Sequence, residues 1–269
     1  MNNFLTRTIT AVFFSITCVA CIFFGGYIHL LFFIFSILAF NEYLKINGPK
    51  KRKALNRLYV LFALIMSATF ALAQLGVIDE KYIWINVFSM AAIFLIELYQ
   101  KEQLPFDQIG KLILGYAYVI IPFAMFTGLG YIVSGEYNFE IPLGFLFLVW
   151  ANDSGAYVFG ITLGKNRLFE RISPKKSWEG FFGGLIIAGV VAYIISLYFQ
   201  SINTTNWIAL SAIIVVFGTL GDLIESMLKR SKDIKDSGNI LPGHGGILDR
   251  FDALLIAAPL VYAYLHLFL

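Results

Sequence analysis

The chain has 269 residues, of which 59% are hydrophobic and 14% charged, and its mean hydropathy is +0.77. Soluble domains hold about 45–50% apolar and about 25% charged residues, so an ordinary soluble globular protein is excluded. The formal charge of +3 decides nothing as a total; where the charges fall decides a great deal.

Apolar runs of bilayer-crossing length recur from end to end and predict a single all-α, polytopic membrane domain over residues 1–269. Nine transmembrane helices are expected, at roughly 9–26, 28–44, 58–78, 82–99, 112–133, 141–163, 179–199, 205–226 and 253–268. With the N-terminus in the cytoplasm, the cytoplasmic segments hold Arg7, the bases from Lys45 to Arg57, Lys101 and Lys111, those from Lys165 to Lys176, and those from Lys229 to Arg250. Lys81 is then the one base left outside, as the positive-inside rule asks. An even span count, or the inverse orientation, loses this agreement, so the C-terminus is expected outside. No clear small-x-small cleavage site follows the first apolar run, so that helix is expected to remain uncleaved.

Residues 1–140 are read as apolar helices joined by short loops. Cys18 and Cys21 form a C-x-x-C inside the first of them, without a nearby histidine or acid, and read as apolar fillers. The run Lys50-Lys51-Arg52-Lys53 reads as an anchor at the anionic leaflet. Glu42 and Glu97 fall near helix ends and are expected to face water.

From residue 141 polar groups enter the spans themselves. The first constellation is Trp150-Ala151-Asn152-Asp153-Ser154-Gly155-Ala156-Tyr157. On a helix Trp150, Asp153, Ser154 and Tyr157 share one face, with Asn152 beside it. A charge at the bilayer centre costs at least about 2.5–3.5 kcal/mol, so Asp153 must face protein or a wet cavity. Both a functional cavity and a buried hydrogen-bond knot meet that demand.

The second constellation is Arg171-Ile172-Ser173-Pro174-Lys175-Lys176-Ser177-Trp178-Glu179-Gly180. Ser173-Pro174 favours a turn. Lys175 and Lys176 are adjacent ammonium groups that suit a phosphate-rich ligand, or that anchor the segment inside.

The third runs from Asp222 to Asp252. At 100° per residue Asp222, Glu225, Ser226 and Lys229 lie within about 100° of one another on the eighth helix. Beyond a polar loop come Pro242-Gly243-His244-Gly245-Gly246 and Asp249-Arg250-Phe251-Asp252, at the start of the ninth. Glycines let backbone N–H groups turn toward an anion, and helix starts favour negative charge. Carboxylates beside such a loop call for a cation, and hard oxygen donors with phosphate point to Mg²⁺, with the acids numerous enough for a second ion. His244 either contacts phosphate or moves a proton, or simply hydrogen-bonds its own loop. Asp252 suits a second cation or the helix macrodipole. There is no P-loop motif and no H-E-x-x-H.

The run Ser226-x-Leu228-Lys229-Arg230, then Lys235-Asp236-x-Gly238-x-x-Leu241-Pro242-x-His244-Gly245-Gly246-x-x-Asp249-Arg250-x-Asp252, resembles the signature of the phosphatidate cytidylyltransferases, or CDP-diacylglycerol synthases. The Ser173–Gly180 and Asn152–Tyr157 segments look like that family's other landmarks. The resemblance covers 150–252 by motif, and residues 1–140 only by hydropathy. It implies CTP and phosphatidic acid as substrates, CDP-diacylglycerol and pyrophosphate as products, a membrane-lipid setting, Mg²⁺, and for some members a homodimer. It implies metal ligation by Asp222 and Asp249, with Lys176, Lys229 and Arg230 near the phosphates. The catalytic set is then Asp222, Lys229, His244 and Asp249. Asn152, Asp153, Ser173, Lys175, Lys176, Ser226, Arg230, Lys235, Asp236, Gly245, Gly246 and Arg250 are expected to contact substrate. No nucleic-acid partner is expected. The expected setting is a bacterial inner (plasma) membrane with the site on the cytoplasmic side. Two other readings stay open: a CTP-dependent polyprenol or phytol kinase, which releases CDP, and an ion-coupled transporter, for which repeat symmetry is lacking.

Overall fold

The computed structural model describes residues 3–48, 53–100, 104–241, 243 and 245–269. Helices dominate: α1 (Asn3–Phe23), α2 (Tyr27–Asn47), α3 (Lys53–Gln74), α4 (Ile85–Leu98), α5 (Pro105–Gly115), α6 (Ile121–Gly128), α7 (Glu140–Leu163), α8 (Trp178–Tyr198), α9 (Thr204–Arg230) and α10 (Asp252–Phe268). A single π-helical turn, Tyr116–Ile120, joins α5 to α6 and makes them one long segment. A short antiparallel hairpin, β1 (Arg167–Phe169) and β2 (Ser173–Ser177), breaks the all-helical pattern between α7 and α8.

Among the described residues seven helical segments have the length and hydropathy to cross a membrane, and Thr8–Phe23 and Asp252–Phe268 are shorter apolar helices. The side-chain distribution agrees with a lipid solvent. In α8 the buried positions are Gly180, Gly183, Gly184, Ala188, Ala192 and Ile195, while Phe182, Ile186, Val190, Tyr193 and Leu197 are exposed. Small residues inside and large apolar ones outside is the arrangement of helices packed in hydrocarbon, where close backbone approach drives association.

The chain divides into two compact units. The first comprises Met1–Cys21, Gly26–Thr127 and Asp236–Arg250. Aromatic rings fill its centre: Phe32 and Phe126 lie 4.6 Å apart and Phe40 and Tyr116 4.7 Å apart. A Cβ on Gly115 would come 2.6 Å from the Tyr43 ring, so this glycine lets the end of α5 seat against α2. Two buried phenols reach carbonyls, Tyr116 that of Tyr59 at 2.7 Å and Tyr43 that of Lys111 at 2.9 Å. Ser36 and Ser67 (2.9 Å), and Asn86 and Thr69 (2.9 Å), tie further helices by polar contacts. Cys18 is buried and both cysteines are free thiols, in keeping with apolar filling.

The second unit comprises Ile22–Gly25, Gly128–Lys235 and Phe251–Leu269. Glycine-mediated contact sets its helix spacing. A Cβ on Gly155 of α7 would lie 2.9 Å from the Gly183 carbonyl oxygen of α8. Gly218 and Gly221 of α9 do the same for the first turn of α10, meeting Ala253 and the Asp252 backbone. That approach brings Asp252 beside Asp222.

Candidate active site

The second unit carries a polar centre built from four elements. The hairpin projects Lys176 from β2, and its Nζ lies 2.5 Å from Asp222 Oδ2 on α9. Ser226, one turn further along α9, donates to Asp222 Oδ1 at 3.3 Å. Asp252, at the start of α10, accepts from the Ala253 N–H at 2.7 Å, so it does serve its helix start. Its carboxylate also lies within electrostatic reach of Asp222, Asp153 and Lys176. Three carboxylates and a lysine thus come together in a half-buried setting.

The hairpin itself is held in place. Ser177 caps α8, its hydroxyl accepting the Gly180 N–H at 3.2 Å. Glu179 accepts from the Asn166 backbone at 3.1 Å and side-chain amide at 2.7 Å, closing the loop that bears the lysines. Ser173 pairs in register with Phe169, and Lys175 projects into the open.

The α9 face read from the sequence divides into two pairs. Asp222 works with Ser226 and Lys176, whereas Lys229 pairs with Glu225 at 2.5 Å, the Glu225 side chain being fully buried. Arg230 is exposed and donates to the Ile234 carbonyl at 3.1 Å. On α7, Asp153, Ser154 and Tyr157 are all exposed, while Asn152 is 7% exposed against Gly184. The Asn152 Oδ1 has no hydrogen-bond partner among the described residues.

The first unit carries the other centre, the loop Asp236–Arg250. Asp249 Oδ2 accepts from the Ser237 N–H (2.9 Å), the Ser237 hydroxyl (3.0 Å) and the Gly246 N–H (2.8 Å). Leu241 N–H donates to the Gly245 carbonyl at 3.0 Å, which draws the glycine turn closed. Gly243 and Gly245 have φ of +76° and +82°, a conformation that glycine adopts without steric cost. Lys235, Asp236 and Arg250 are exposed. Pro242 and His244 lie outside the described residues, as do Lys50, Lys51 and Arg52.

Glu42 corrects its expected role. Instead of facing water it is 1% exposed. Its carboxylate accepts from the Ile247 N–H (3.2 Å), the Leu248 N–H (2.9 Å) and the Ser237 hydroxyl (3.2 Å). Glu97 is also fully buried and accepts the Tyr59 hydroxyl. A buried carboxylate requires such donors, and both glutamates find them. The legible signal for Glu42 was its setting, an acid between Phe40, Tyr43 and Leu44 in an apolar helix.

Residues 5–268 match the cytidylyltransferase family. The chain is 41% identical over 185 residues to the phosphatidate cytidylyltransferase of Bacillus subtilis, covering 68% of each chain. It is 35% identical over 267 residues to that of Staphylococcus epidermidis, covering 95% of this chain and 96% of the relative. A Staphylococcus aureus relative of the same name is 35% identical over 265 residues with the same coverage. The chain belongs to the cytidylyltransferase family.

Proposed function

We propose that the chain is a CTP:phosphatidate cytidylyltransferase, in which the phosphate of phosphatidic acid attacks the α-phosphorus of CTP and displaces pyrophosphate. Phosphatidate brings an anionic nucleophile at neutral pH, so the enzyme has none to generate. The obstacle is repulsion between two polyanions. A site that relieves it needs cationic side chains and carboxylate-held cations at the reacting phosphates. The observation that carries the reading is the Lys176–Asp222 ion pair, with Asp252 at the start of α10 within electrostatic reach of both.

In kind, the carboxylate oxygens of Asp222 and Asp252 are the hard donors that Mg²⁺ takes with substrate oxygens, and no group of three metal-ligating side chains is assembled among the described residues. Asp222 and, by the signature, Asp249 are the proposed metal ligands. When bound, the ion would neutralise phosphate charge and polarise the phosphoryl oxygens. The protein's own groups do the rest. Lys176 offers a mobile ammonium to the CTP phosphates. Ser226 holds the Asp222 carboxylate in its rotamer. The hydrogen bonds on Asp249 orient it as outer partners orient metal-ligating acids.

The nine-span topology, with the N-terminus and the site on the cytoplasmic face of a bacterial plasma membrane, completes the proposal. A water-soluble nucleotide then enters from the cytoplasm while the diacyl tails stay in the leaflet. The deciding assay is pyrophosphate release from CTP by purified protein in detergent with Mg²⁺, with and without phosphatidic acid. Release that requires the lipid supports the reaction. CDP formed only with a lipid alcohol replaces it with a kinase, and flux without nucleotide turnover replaces it with a transporter.

A further inference from the structure

We infer that Glu42 is a positioning residue for the cytidylyl transfer, acting through the Asp236–Arg250 loop and Asp249; the inference rests on the function proposed above. Glu42 belongs to α2, about two hundred positions from its partners, and the same compact unit contains both. Its two oxygens are used separately. Oε1 accepts from Ile247 N–H, and Oε2 accepts from Leu248 N–H and the Ser237 hydroxyl. The Ser237 hydroxyl lies within hydrogen-bond distance of the Asp249 carboxylate as well. One serine therefore bridges two buried acids, and Glu42 fixes both the serine and the turn that leads into Asp249.

The glycines of the loop give independent support. A Cβ on Gly238 would stand 2.8 Å from Glu42 Cδ, and one on Gly246 would overlap both the Glu42 carboxylate and the Ser237 hydroxyl. Side-chain-free positions here are what allow the carboxylate to reach the loop backbone. Loop composition and α2 thus make one device. Two backbone N–H groups, Ile247 and Leu248, and the Ser237 hydroxyl are thereby tied to α2, and misplacement of a group at the site by about 1 Å costs roughly 10²-fold in rate.

The test is Glu42→Gln, which keeps the shape but turns an NH₂ group toward backbone N–H donors. It is set beside Tyr59→Phe, which disturbs the separate buried Glu97 contact. Expected in Glu42→Gln is a kcat lower by about 100-fold, with the KM for phosphatidic acid unchanged. Hydrogen exchange should also be faster at the amides of 237 and 246–248 and unchanged elsewhere. Tyr59→Phe should lose thermal stability while retaining kcat below its melting temperature. Wild-type kcat in Glu42→Gln, unchanged loop exchange, or a loss of activity that disappears on cooling overturns the inference. Absence of lipid-dependent pyrophosphate release from the wild type overturns the proposed function instead, a different failure because it needs no variant to be seen.

Discussion

Lys176 Nζ sits 2.5 Å from Asp222 Oδ2, joining a β-hairpin to the C-terminal third of α9. The lysine side chain is 26% exposed and the aspartate 36%, so neither charge is sealed from water. An exchangeable pair of this kind suits a site that must take up and release a polyanion. Asp222 holds the ammonium, and a phosphate would compete for it.

Lys176→Ala is therefore expected to act on nucleotide use more than on lipid use. Loss of one charge-assisted phosphate contact is worth about 1.5–3 kcal/mol, or roughly 10- to 100-fold in the KM for CTP. Initial rates over a CTP series at saturating phosphatidic acid measure it. An unchanged CTP dependence reduces Lys176 to a topology anchor. Lys175→Ala, on the exposed side of the strand, should have a smaller effect.

Asp222→Asn and Asp249→Asn are both expected to abolish turnover while leaving membrane insertion intact, but for separable reasons. Asp222→Asn removes charge from the set that includes Asp153 and Asp252, and titration with Mg²⁺ should show a weakened dependence in any residual activity. Asp249→Asn also disturbs its loop, because the Ser237 N–H faces both carboxylate oxygens and an asparagine must turn its NH₂ donor toward that N–H or toward the Gly246 N–H. Hydrogen exchange over 236–250 should rise in Asp249→Asn and stay at the wild-type level in Asp222→Asn. Near-normal turnover in either variant removes that residue from the site.

The α9 cluster was legible because a helix converts spacing into proximity. Ser226 and Asp222, and Lys229 and Glu225, are each four residues apart and do meet. Periodicity did not reveal that Glu225 pairs with Lys229 while Asp222 turns to a different element, since that depends on where β2 passes. The hairpin escaped detection because Arg167–Phe169 and Ser173–Ser177 are too short to show an alternating pattern. Glu42 escaped for a deeper reason. Its donors are backbone N–H groups of Ile247 and Leu248, which carry no residue-type signature. The motif carries the family; what anchors its loop lies in a helix whose sequence offers only hydropathy.

The α7–α8 contact allows a prediction about stability rather than chemistry. A Cβ on Gly155 would press on the Gly183 carbonyl oxygen and on Ile187 Cβ, both at 2.9 Å. Gly155→Val should force the helices apart and cost about 1–3 kcal/mol by overpacking, seen as a lower melting temperature in detergent. Gly189, which meets nothing within 4 Å, should accept alanine without loss. Equal stability of Gly155→Val and wild type would mean that the two helices are not held at this spacing.

Orientation rests on charge placement, and Lys81 is where it is most exposed to test. The residue lies in the 3₁₀ turn Glu80–Trp84 ahead of α4, open to solvent and paired with Asp79 at 2.5 Å. Lys165, ahead of the hairpin, is also exposed. In a background with Cys18 and Cys21 replaced by serine, Lys81→Cys in intact cells should react with a membrane-impermeant maleimide. Lys165→Cys should react only after permeabilisation. Since positively charged loops are retained on the cytoplasmic side, the reverse pattern would place the Lys176–Asp222 pair on the face that CTP cannot reach, and the cytidylyl-transfer proposal would fall with it. Labelling at both positions from the same side would instead break the alternation of the spans between them, and an even number of crossings from 81 to 165 would have to replace the odd number expected from the helices.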